Sequence, residues 1–133
     1  MSEGERSPVK VLVVDDSAPV RDLLVVNLEL EGLEVRVAGD GLEGVAVARE
    51  WRPDVVTLDV VMPRLDGFGA LERLRGDPAT AAIPVVMVTG RAQAADQARG
   101  DALKVDAYVT KPFEPTDLVA VVTDLARTGR RYP

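Results

Sequence analysis

Four short apolar runs in this chain each end in a side chain that can do chemistry: 11–14 in the pair Asp15-Asp16, 55–58 in Asp59, 84–88 in Thr89, and 106–110 in Lys111. Carboxylates, a hydroxyl and an ammonium are the groups that hold a hard cation, accept or cradle a phosphoryl group and balance its charge. Three carboxylates brought together are not stable alone. Two of them about 5 Å apart repel by roughly 3 kcal/mol at an effective dielectric of about 20, and a retained proton or a divalent cation relieves this. The chain has no Cys and no His, so thiol, disulfide, zinc and imidazole chemistry are absent and any metal must be a hard cation held by oxygen. Magnesium suits such donors, and its usual shell of one or two carboxylates, waters and a phosphoryl oxygen leaves the site incomplete without phosphate. Asp59 is the sensible nucleophile, Lys111 a point positive charge, and the Thr89 hydroxyl a donor to a second phosphoryl oxygen.

These residues meet only if the runs are parallel strands, because open α/β sheets gather their ligands at the carboxyl ends of the strands. Residues 9–14 read as a buried strand, and Ser17 with Pro19 opens a helix, capping hydroxyl first and proline in the first turn. Val20, Leu23, Leu24, Asn27 and Leu28 fall on one face of that helix until Gly32 stops it. A second strand at 34–38, a helix at 41–51 and, after Pro53, a third strand at 54–58 follow. A turn-rich loop at 62–67 leads to a helix at 68–75, and Ile83-Pro84 introduces the fourth strand. A helix is expected between Ala92 and Leu103, a fifth strand around Tyr108 and Val109, and a last helix at 115–127 with Leu118, Val121, Val122 and Leu125 on one face.

Alternating strands and helices give an α/β fold, a doubly wound five-stranded parallel sheet with right-handed crossovers. In the flavodoxin-like strand order 2-1-3-4-5 the chain reverses direction between strands one and three, which makes Asp15, Asp16 and Asp59 neighbours. The expected organisation is a disordered lead at 1–8, one domain at 9–127 and a basic tail at 128–133. With 133 residues, 47% of them apolar, the chain has room for a single core. A net charge of −6 works against a nucleic-acid partner, and Arg130-Arg131 on a tail reads as solvated. The polar N-terminus lacks a signal-peptide core, and the longest apolar stretches, interrupted by Asp59 or Pro63, fall short of the roughly 18 residues a spanning helix needs. A soluble cytoplasmic protein without a membrane partner is expected.

Singly, each of these side chains has an ordinary use: Asp15-Asp16 complementing a helix dipole, Thr89 capping a helix, Lys111 solvated, Tyr108 packing, Trp51 filling core or surface. Capping does not explain why acid pair, acid, hydroxyl and lysine stand at strand ends in that order. With Val60-Val61-Met62-Pro63 after Asp59, then Asp66-Gly67, Thr89-Gly90 and Lys111-Pro112-Phe113, the chain resembles the receiver domain of two-component response regulators over roughly residues 9–127.

That resemblance implies a signalling switch rather than an enzyme, with only self-catalysed phosphorylation and dephosphorylation of an aspartate. It implies that Asp15, Asp16, Asp59 and the backbone carbonyl of Val61 bind Mg²⁺. Asp59 would receive a phosphoryl group from the phosphohistidine of a histidine kinase or a histidine phosphotransfer protein, with Thr89 and Lys111 holding the phosphoryl oxygens. The absence of His fits a donor on another protein. Thr89 then moves toward the phosphoryl group and the Tyr108 ring turns inward, remodelling the face made by the 92–103 helix, the fifth strand and the last helix. That face would bind an unidentified downstream protein or a second copy of the chain. Three positions depart from the family pattern. Apolar Val61 and cationic Arg91 border the path of the hydrolytic water and are expected to tune dephosphorylation, and Lys104 stands where the family puts a helix-ending glycine.

Rival readings separate on single residues. A haloacid-dehalogenase-type phosphatase needs a second carboxylate two residues after its nucleophile, and Val61 stands there. A flavodoxin-like FMN carrier needs a phosphate loop after strand one, where Asp15-Asp16 would repel the phosphate. The remaining alternative is a receiver-fold interaction module that works without phosphorylation.

Overall fold

The computed structural model describes residues 8–90 and 102–129. Five parallel strands, β1 (Lys10–Val14), β2 (Glu34–Ala38), β3 (Val55–Asp59), β4 (Val85–Thr89) and β5 (Ala107–Thr110), form one sheet in the order β2-β1-β3-β4-β5. The described helices are α1 (Ala18–Leu30), α2 (Gly41–Trp51), α3 (Gly67–Gly76) and α4 (Pro115–Thr128). The expected 92–103 helix lies almost wholly outside the described residues, which resume at Ala102, already helical.

Alternation along the central strands sorts their side chains onto two cores. Leu12, Val14, Val56, Leu58, Val85 and Met87 face α2 and α3, while Val11, Val13, Val55, Val86 and Val88 face α1 and α4. Each fully buried Leu or Val contributes about 1.5–3 kcal/mol, so this double burial holds the central strands more firmly than any local propensity. The helices bury the expected stripes with two changes. On α1, Leu24 and Leu28 are buried but Leu23 is 45% exposed, because α1 rests on the sheet by a stripe narrower than its apolar face. On α4, Val119 is buried and Val121 only partly, a small rotation of the stripe about Leu118, Val122 and Leu125.

Helix starts place the carboxyl ends of the strands beside helix N-termini. Ser17 caps α1 by accepting the Val20 N–H, Asp40 caps α2 through the Glu43 N–H, and Asp66 caps α3 through the Gly69 N–H. The structure moves two strand ends by one residue: β3 runs through Asp59 and β4 through Thr89, so these side chains belong to the sheet itself. Lys104 takes a left-handed backbone, φ 60°, supplying the helix-ending conformation that glycine usually provides. Trp51 lies at the sheet's other end, against Lys10 and Arg36. No helix among the described residues is long and apolar enough to cross a membrane.

Candidate functional site

The acid edge is built by two adjacent strand ends, those of β1 and β3. Asp15 follows β1, and its Oδ1 accepts the Ser17 N–H at 2.9 Å while its own N–H donates to the Ala38 carbonyl at 3.1 Å. The Arg21 guanidinium braces the same turn by donating to the Asp15 carbonyl at 2.7 Å. Asp59 closes β3, paired with Val88 of β4. One carboxylate oxygen from each of Asp15, Asp16 and Asp59 lies within 4.8 Å of the other two, with Asp15 and Asp59 buried and Asp16 exposed. Glycine makes the approach of α3 possible: a Cβ on Gly67 would collide with the Asp59 carbonyl oxygen and lie 2.9 Å from Val60 Cα.

Lys111 enters from the loop after β5, across a cis peptide bond to Pro112. Its Nζ donates to Asp15 Oδ2 at 3.2 Å and to Asp59 Oδ2 at 3.3 Å. Burial, with the Asp15 carboxylate beside it, pushes the Asp59 carboxyl above the usual carboxylate range against the pull of Lys111. Burial works to lower Lys111, but Asp59 and Asp15 outweigh it and hold the ammonium above its ordinary value. One ammonium thus serves two buried carboxylates, with the exposed Asp16 carboxylate beside them. A cluster of hard oxygen donors with surplus negative charge fits a divalent cation, and Mg²⁺ in particular.

Of the remaining expected residues, Thr89 and Val61 fall at this edge, while Tyr108 lies two residues before the end of β5. Thr89, buried, ends β4 opposite Thr110, and the Lys111 N–H donates to its carbonyl at 2.7 Å. Tyr108 pairs with Met87 across β4 and β5 and packs, half-buried, on the core under α3. Val61 is 70% exposed, and its N–H donates to Asp59 Oδ1 at 3.4 Å, so its side chain stands at the rim and not in the core. Arg91 lies outside the described residues.

Residues 11–123 match the family model described as the response regulator receiver domain. The chain belongs to that family. As a receiver domain it is 40% identical over 124 residues to the DNA-binding dual master transcriptional regulator RpaA of Synechocystis, covering 93% of this chain and 52% of that protein. It is 38% identical over 124 residues to the DNA-binding response regulator MtrA of Mycolicibacterium paratuberculosis, covering 93% and 54%. This receiver domain therefore spans about half the length of those relatives. Among solved structures it is similar to the Vibrio cholerae chemotaxis protein CheY4, with TM-score 0.84 and 32% identity over 89% of this chain and 98% of that one. A CheY-like receiver domain protein of Methanospirillum hungatei gives TM-score 0.86 at 28% identity over 91% and 95%.

Sequence reading missed two side chains that brace the edge of this receiver domain. Neither Arg21 nor Arg64 is among the candidate site residues the sequence offers, yet Arg21 holds the Asp15 carbonyl and Arg64 reaches Asp40 at the start of α2. Both are long, flexible cations, and nothing in their sequence spacing encodes which carbonyl or carboxylate they reach.

Proposed function

We propose that this receiver domain is a phosphoacceptor switch whose reacting group is the Asp59 carboxylate. The observation that carries the reading is the cluster of Asp15, Asp16 and Asp59 oxygens within 4.8 Å, bridged by Lys111. An Asp59 oxygen attacks the phosphorus of a phosphohistidine on a histidine kinase or phosphotransfer protein. The O–P bond forms, the P–N bond breaks, and its electron pair stays on the imidazole nitrogen, which takes up a proton. Asp15, Asp16, Asp59 and the Val61 carbonyl would hold Mg²⁺, which would supply the positive charge that lets an anion approach this edge. Lys111 leaves its ion pairs to hold one phosphoryl oxygen, and the Thr89 hydroxyl holds another.

Phosphorylation adds about −1.5 to −2 charges, enough to bias a two-state element once Lys111 and Thr89 are recruited. Tyr108, opposite Met87 on the strand next to β4, is the reporter of that change, and the surface of β5 and α4 is the output face. Its occupant is a downstream protein or a second copy. RpaA and MtrA are named as DNA-binding proteins, whereas this chain carries a net charge of −6, so its own contribution to such a regulator is regulatory and not phosphate contact. Val61 and Arg91 tune how long the phosphoryl group survives.

Incubation with Mg²⁺ and acetyl phosphate, followed by intact-mass measurement, should show the gain of one phosphoryl group in the native chain and none in Asp59→Asn. No gain from acetyl phosphate and none from any histidine kinase would leave the phosphorylation-independent interaction module as the better reading.

A further inference from the structure

The loop that follows Asp59, residues 60–66, has to stay still if the acid edge is to keep its spacing. Local bonds close it along the chain: the Gly67 N–H donates to the Val60 carbonyl at 2.9 Å and the Leu65 N–H to the Pro63 carbonyl at 2.8 Å. Sideways it is tied by Arg64. This residue has a left-handed backbone, φ 68°, from which Nε donates to Asp40 Oδ2 at 3.1 Å and Nη2 donates to the same oxygen.

Asp40 is itself anchored. Its other oxygen, Oδ1, accepts the Glu43 N–H at 2.9 Å as the cap of α2, and these two partners, the Glu43 N–H first and Arg64 next, hold its carboxyl below the usual carboxylate range. Two residues earlier, the Ala38 carbonyl accepts the Asp15 N–H. The two loops also touch: a Cβ on Gly41 would collide with the Leu65 carbonyl oxygen. Among the described residues, Arg64–Asp40 is the ion pair that joins the 60–66 loop to another element.

We propose that Arg64 is a positioning residue: through Asp40 it locks the loop carrying Val61 to the segment that anchors Asp15, and so sets the spacing of the acid edge for a divalent cation. This deepens the proposed function and rests on it. An arginine suits the task because its planar fork engages a carboxylate with two donors in one fixed orientation, which a lysine ammonium does not.

Charge counting and positioning predict opposite signs. Removing a cation from the neighbourhood of three carboxylates should tighten Mg²⁺ binding, whereas loosening the loop that carries a ligand should weaken it. Calorimetric Mg²⁺ titration of wild type, Arg64→Gln and Arg64→Lys, with amide hydrogen exchange of the metal-free proteins, separates them. Arg64→Gln should weaken Mg²⁺ by about tenfold, the low end for a residue acting through a ligand's partner. Exchange of the 60–66 amides should speed up by a similar factor while the β3 amides stay unchanged, and Arg64→Lys should recover part of both.

Equal or tighter Mg²⁺ binding in Arg64→Gln, or unchanged exchange in the loop, overturns the clamp and leaves the phosphoacceptor reading untouched. A wild-type chain that binds no Mg²⁺ overturns both.

Discussion

Two buried aspartates sit at opposite edges of the same sheet, each beside a basic side chain, and they end in opposite states. Asp106, just before β5, meets Arg75 at 3.0 Å with side chains 0% and 12% exposed, and it also accepts the Val85 N–H at 2.8 Å. Arg75 spreads its other donors over the carbonyls of Ala81, Ile83 and Lys104. Asp59 instead shares one ammonium with Asp15, next to an open Asp16. A guanidinium whose two terminal nitrogens reach three carbonyls and one carboxylate balances its single acid, while a single ammonium divided between two carboxylates leaves negative charge over. The first arrangement holds β4 and β5 together. The second leaves a place for a cation and an incoming anion.

The largest effect that could break this contrast is at the closed pair. Asp106→Ala leaves Arg75 buried without its carboxylate and should cost about 3–5 kcal/mol by urea denaturation, while Mg²⁺ affinity of the folded protein changes little. A loss under about 1 kcal/mol, the size of an exposed ion pair, would remove the distinction between the edges.

Next comes the divided ammonium. Lys111→Met should slow phosphorylation by acetyl phosphate by about tenfold to a hundredfold, as expected for removing one charged donor from a phosphoryl group, and should tighten Mg²⁺ binding by removing a competing cation. An unchanged rate would reduce Lys111 to a counter-ion.

The smallest effect reads the surplus charge directly. Because the Asp59 pKa is raised in the folded state, the folded protein binds this proton more readily than the unfolded chain does. Stability from this group therefore falls as pH rises from the ordinary value of 3.8 through the raised folded value. Asp59→Asn should then stabilise the metal-free protein by about 0.5–1 kcal/mol at neutral pH, the screened size for a partly solvated group. The advantage should shrink as pH falls through that window, and saturating Mg²⁺ should stabilise wild type more than the variant. A difference independent of pH would mean that Asn acts through packing and not through charge.

The fold was legible because its signals are local and repeated. Short Val- and Leu-rich runs, Ser17, Asp40 and Asp66 at helix starts, and Gly32 after α1 each state a boundary without reference to the rest of the chain. The meeting of Asp15, Asp59, Thr89 and Lys111 at one edge was legible for the same reason, since each of them stands at the end of such a run. Leu23 shows the limit: its periodicity assigns it to the apolar face of α1, but how wide a stripe the sheet covers is set by packing geometry.

What the sequence determined by itself is the set of groups at the carboxyl edge, because strand parity and the α/β crossover rule leave them no other place to go. What only the tertiary structure decided is how the charges are shared: Lys111 between Asp15 and Asp59, Arg75 wholly on its own cluster, Arg64 on Asp40. Long cationic side chains choose their partners through space, across separations of 24 to 96 residues, and no periodicity in the chain records that choice.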